Sequence, residues 1–130
     1  MPFLPPIEYH DASAEVRAVY DDIMSTRKVE SVNNFWKALA HHPETLLRTW
    51  VTIKHVMGPG ALDGFTKELI YLAVSATNQC NYCMASHTAS ARKQGMTVEM
   101  LGELMAVVGL ANNTNALAAG YQVQIDEQFR

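Results

Sequence analysis

Cys80-Asn81-Tyr82-Cys83 and, four residues on, His87 bring together both cysteines of the chain and one of its five histidines. Read as a helix, thiols at i and i+3 and an imidazole at i+7 project from one face. A thiol attacks only as thiolate, and helix N-termini or nearby cationic groups favour that form. Cys80 falls at or near a helix start, where unpaired backbone N–H groups carry partial positive charge. Cys83 lies one turn in. His87 lies one turn further, at the spacing of a general base that takes a proton from Cys83 directly or through a water. Once one sulfur is oxidised to a sulfenic acid, the other can attack it, and the CxxC spacing makes that disulfide closure intramolecular.

Glu68 stands twelve residues before Cys80, at the opening of the most apolar helix of the chain. A carboxylate there is either exposed at the helix N-terminus, where the dipole favours it, or turned inward with a partner. Turned inward, a pairing with His87 or a cysteine tunes proton transfer.

Other readings of these residues compete. The cysteines can be two small buried apolar residues. CxxC with His87 offers three zinc ligands, and His41, His42 or His55 a fourth. Those three ligands share one short segment, however, and no second C-x-x-C or H-x-x-H pair exists. No metal is therefore expected. Met84 rather than histidine follows Cys83, which removes c-type haem attachment. His41, His42 and His55 otherwise read as residues of solvated helix faces or caps of carbonyls. Trp36, Trp50, Phe35 and the methionines read as core or subunit interface. Asn115 and Tyr121 are candidates to approach the site from a neighbouring helix, though nothing in the sequence requires it.

The elements that must carry these groups are helices. Residues 1–10, with Pro2, Pro5 and Pro6, read as an extended arm. Asp11 suits the cap of a helix over about 12–28, with Val16, Val19, Tyr20 and Ile23 on one stripe. A second helix fits 34–41, and Pro43 suits the first turn of a third reaching Met57. Gly58-Pro59-Gly60 breaks the chain. Asp63 suits the cap of a helix over about 64–77, apolar nearly all round from Leu69 to Ala76 and so expected to be central and buried. A helix over about 80–94 ends at Gly95. Thr97 suits the cap of the next, with Leu101, Leu104, Met105 and Val108 at helical spacing. Asn112-Asn113 suggests a break before a last helix over about 114–126. No segment alternates as a half-buried strand does. The fold class expected is all-α, with six or seven helices.

The 130 residues suit one domain, able to bury a core yet small enough to gain from oligomerisation. Charged residues are 18% of the chain, below the roughly 25% usual in soluble domains, which suggests apolar surface covered by another subunit. A net charge of −3 carries no footprint of nucleic-acid binding. The longest apolar run, Leu69 to Val74, is too short to span a membrane. Met1-Pro2-Phe3-Leu4-Pro5-Pro6 does not read as a secretory signal, and two cysteines without one point to redox, catalytic or metal use in the cytoplasm.

Glu68, eleven residues, Cys80-x-x-Cys83, three residues and His87, flanked by Thr66-Lys67-Glu68-Leu69-Ile70 and Cys83-Met84-Ala85-Ser86-His87, resembles the alkylhydroperoxidase D-like signature of the carboxymuconolactone decarboxylase superfamily. The resemblance is firm over about residues 60–110. It implies a compact all-α fold assembled as trimers, or as hexamers built from dimers. It also implies thiol peroxidase or disulfide reductase chemistry in antioxidant defence, without metal or organic cofactor. Carried over by position, Cys83 attacks a peroxide, Cys80 resolves, and Glu68 and His87 relay protons. A peroxiredoxin or a lipoylated protein reductant is the implied partner. Where the well-studied peroxidase has a histidine between its cysteines, this chain has Tyr82. A phenol is no base at neutral pH, but it can donate a hydrogen bond to a thiolate or peroxide oxygen. Two alternatives remain on the same fold. One is a decarboxylase or isomerase of a small lactone, a chemistry that generally does not rely on a cysteine pair. The other is a non-catalytic redox-sensing module.

Overall fold

Side-chain caps mark where five of the six α-helices among the described residues begin. The computed structural model describes residues 3–130, so Met1 and Pro2 of the expected arm lie outside the described residues. The helices are α1 (Ala14–Arg27), α2 (Asn34–Leu39), α3 (Pro43–Val56), α4 (Gly64–Thr77), α5 (Asn81–Lys93) and α6 (Val98–Gly120). Short 3-10 turns lie at Tyr9–Asp11 and Glu127–Phe129, and no strand occurs among the described residues. The fold is all-α, as expected. The chain divides into two units, one ending at Gly58 and the other Pro59–Arg130.

In the first unit α1 starts later than expected. Asp11 closes the 3-10 turn, and Ser13 is the cap, its hydroxyl accepting from the Val16 N–H at 3.2 Å. A serine side chain followed directly by the helical run outcompetes the earlier aspartate, whose neighbours already turn. His42 caps α3 by accepting from the Thr45 N–H, and Pro43 occupies the first turn. The core comprises Val16, Val19, Tyr20, Ile23, Trp36, Leu46 and Trp50, with the two indoles edge-to-face at 5.6 Å. Trp36 and Trp50 are thus core residues, with Arg27 over both rings. The Trp50 indole N–H and the Lys54 ammonium both donate to Asp22, and Lys54 above all holds that carboxyl below its ordinary range. The described part of the arm is pinned to this unit. Tyr20 donates to the Ile7 carbonyl, the Ile7 N–H donates to that of Lys37, and His41 Nε2 donates to that of Pro5.

The second unit is built on the hairpin of α4 and α5, with α6 packed against α4. Leu72, Ala91 and Met96 form its buried centre, flanked by Phe65, Leu69, Met84, Met100, Leu101 and Leu104. Asp63 caps α4 and Thr97 caps α6, as expected. The Thr66 N–H and hydroxyl hold the Asp63 carboxyl below its ordinary range. Two expectations fail here. First, α4 is not buried all round: it buries Glu68, Leu72 and Ser75, while Ile70 and Val74 are about half exposed. Within this unit its partners cover one face, and an apolar sequence does not by itself supply further neighbours. Second, Asn112-Asn113 does not interrupt the chain, and α6 runs unbroken to Gly120. The Asn112 amide donates back to the Val108 carbonyl and across to the Thr77 hydroxyl on α4, so the side chain serves the helix rather than competing with it. The helix ends at Gly120, Gln122 beyond it turns the backbone left-handed with φ of 50°, and residues 121–126 are not helical.

The turn that aims α5 is a Schellman motif. Gln79 sits at φ 57°, its N–H bonds the Ala76 carbonyl, and the Cys80 N–H reaches back to the Ser75 carbonyl at 3.0 Å. The same arrangement closes α5, where Gly95 has φ of 105° and Met96 bonds the Ala91 carbonyl. Left-handed backbone costs an L-residue about 1–2 kcal/mol. Gln79→Gly is therefore expected to leave stability unchanged or raise it by up to about 1 kcal/mol, and Gln79→Val to lower it by about 1–2 kcal/mol. Urea midpoints at unchanged m-value measure both.

Candidate redox site

Cys80 has two structural duties in this turn. Its backbone N–H ends α4, and its side chain begins α5 as the N-cap, with Sγ accepting from the Cys83 N–H at 3.3 Å. The first sulfur of the pair is therefore fixed at the positive end of α5, where negative charge is favoured. Cys83 follows in the first turn, and the two are joined as a disulfide with Cα atoms 5.3 Å apart, inside the usual range for such bridges. The Ser86 hydroxyl donates to the Cys83 carbonyl at 3.4 Å.

Glu68 resolves the choice left open by the sequence: it is turned inward, 9% exposed. Its Oε2 lies 2.7 Å from His87 Nδ1. As a carboxylate Glu68 accepts, so Nδ1 carries the hydrogen and Nε2 is the nitrogen that can exchange a proton. A second group of α4 holds the same ring. Tyr71, one turn after Glu68, stacks on the imidazole with ring centres 3.7 Å apart and planes inclined by 22°. The sequence reading missed Tyr71. Its signal was the i+3 spacing from Glu68, which places both on one face of α4.

Tyr82, on the first turn of α5, is 43% exposed. Asn115 and Tyr121 are exposed on and just beyond the second half of α6, Tyr121 by 80%. Among the described residues no group of three or more histidine, cysteine, aspartate and glutamate side chains is arranged to hold a metal ion. Nor is any described helix long and apolar enough to cross a membrane. A cysteine pair at the head of one helix, with a buried carboxylate paired to a half-buried imidazole on the same hairpin, is the make-up of a thiol-based redox site.

Comparison with known proteins agrees. The crystal structure of the alkylhydroperoxidase AhpD core from Rhodospirillum rubrum is 53% identical and superposes with a TM-score of 0.84, over 88% of this chain and 85% of that one. An alkyl hydroperoxide reductase AhpD from Maricaulis maris is 34% identical over 115 residues, 83% of this chain and 64% of the relative. Uncharacterized protein 4 in the cox locus of Paracoccus denitrificans is 43% identical over 54 residues, 42% of this chain and 49% of the relative. The chain thus spans between about half and two thirds of the length of these two curated relatives. The family described as the carboxymuconolactone decarboxylase family matches residues 44–125, which include the whole site. The chain belongs to that family, in its alkylhydroperoxidase D-like branch.

Proposed function

We propose that this protein is a thiol-dependent peroxidase that closes and reopens the Cys80–Cys83 disulfide, with small disulfides as its other substrate class. The observation that carries this reading is the 2.7 Å pairing of buried Glu68 with His87 on the hairpin whose turn holds both sulfurs. In the oxidative half, the Cys83 thiolate attacks one oxygen of a hydroperoxide and the O–O bond breaks. The products are a Cys83 sulfenic acid and an alkoxide that leaves as the alcohol with a proton from His87. The Cys80 thiol then passes its proton to His87, its thiolate attacks the Cys83 sulfur, the S–S bond forms, and the departing hydroxide takes that proton from His87 and leaves as water. In the reductive half, a dithiol reductant attacks Cys83 and releases Cys80, a good leaving thiolate at the N-terminus of α5. A second exchange frees Cys83 and leaves the reductant oxidised.

Glu68 fixes the imidazole tautomer, and Tyr82 supplies an O–H donor to the peroxide rather than a base. The AhpD names of the relatives support an organic hydroperoxide as substrate. A lipoylated protein as reductant, or a peroxiredoxin as partner, fits the dithiol chemistry. Val107, Leu110 and Leu117 of α6 are more than half exposed, which supports self-association, and the assembly in this reading is a trimer or hexamer in the cytoplasm.

Thiol titration before and after addition of cumene hydroperoxide tests the reading, followed by turnover with dithiothreitol or dihydrolipoamide. Loss of two thiols with turnover is expected. Loss without turnover makes the pair a redox sensor, and thiols inert to peroxide overturn both.

A further inference from the structure

We infer that Tyr71 is a positioning residue for His87, acting through its ring face and not through its hydroxyl. The inference rests on the thiol-redox reading above. Glu68 bonds one edge of the imidazole, but a single hydrogen bond leaves the ring free to swing about that contact. Tyr71 removes this freedom by stacking at 3.7 Å and 22°, so edge and face are both held from one side of α4. The ring plane, and with it the direction of Nε2, is then fixed by two residues of a single helix, Glu68 and Tyr71.

Tyr71→Phe keeps the face and loses the hydroxyl, whereas Tyr71→Leu and Tyr71→Met lose the face. With the full chain, peroxide turnover in Tyr71→Phe is expected within about twofold of the parent. In the Leu and Met variants it falls roughly three- to tenfold, the worth of one aromatic contact. Nitrogen-15 NMR of the parent protein gives the second readout: one dominant tautomer with hydrogen on Nδ1, and ring protons shifted upfield by the stacked phenol. A folded Leu or Met variant with the parent turnover rate and tautomer overturns the inference. So does a Phe variant as impaired as Leu, or a parent whose His87 protons show no upfield shift. The last measurement needs no variant to fold. Absence of peroxide turnover in the parent sinks the functional reading instead, and the NMR result still decides the role of Tyr71.

Discussion

Cys83→Ser is expected to abolish peroxide turnover, a loss of at least ~10³-fold, while Cys80→Ser still consumes one equivalent of peroxide. The asymmetry follows from the order of events. With Cys83 gone no sulfur takes the first oxygen, and serine is too poorly ionised to replace it. With Cys80 gone the first step survives, but the sulfenic acid has no intramolecular partner. A sulfenic-acid trap should then label Cys80→Ser once, at Cys83, and mass spectrometry locates the label. The same variant should accumulate a mixed disulfide at Cys83 when treated with an activated thiol reagent. The cap geometry makes this a sharp test, because the Cys83 N–H donates to Cys80 Sγ and the helix terminus favours negative charge on Cys80. That preference suits a leaving thiolate in the reductive half. It also suits a first nucleophile. A label on Cys80 in Cys83→Ser, with one equivalent of peroxide consumed, would reverse the two roles.

Both halves of this site were legible in the sequence to different depths. The CxxC pair, His87 and Glu68 declared themselves by type and spacing, because cysteine is scarce and the whole set falls within twenty residues. Helix-boundary residues such as Asp63, Thr97, Pro43 and Gly95 were readable because each solves a local backbone problem with its own side chain or dihedral. Tyr71 was harder to read, since a tyrosine inside an apolar run looks like packing even at i+3 from Glu68. Its stacking depends on the angle between α4 and α5, set by a left-handed Gln79 with no glycine to announce it. Asn112 misled for the converse reason. Asparagine usually competes with helices, yet here its amide found two acceptors that leave the helix intact. The exposure of Ile70 and Val74 was hidden as well, because hydrophobicity reports a preference for burial and not the presence of a neighbour.

Removing the carboxylate is the second large effect expected. Glu68→Gln keeps an acceptor for Nδ1–H but no charge, and should slow peroxide turnover by about tenfold. Glu68→Ala and His87→Ala should each cost roughly 10²-fold, the usual worth of a positioned acid–base group. If Glu68 acts only through His87, the double variant Glu68→Ala/His87→Ala is no slower than His87→Ala alone, because the two residues work as one unit. Added imidazole should partly restore His87→Ala, since a free base can occupy the vacated space. It should not restore Glu68→Ala, whose ring is present but no longer anchored. The energetics separate chemistry from folding. Glu68 is nearly buried and His87 only partly so, so Glu68→Ala strands half of a pair and should lower stability by about 1–3 kcal/mol. Glu68→Gln preserves the hydrogen bond and should cost less than about 1 kcal/mol. A rate loss in Glu68→Gln at nearly parental stability therefore assigns the defect to proton transfer. Parental turnover in all three single variants would remove Glu68 and His87 from the reaction and leave the cysteine pair to act alone.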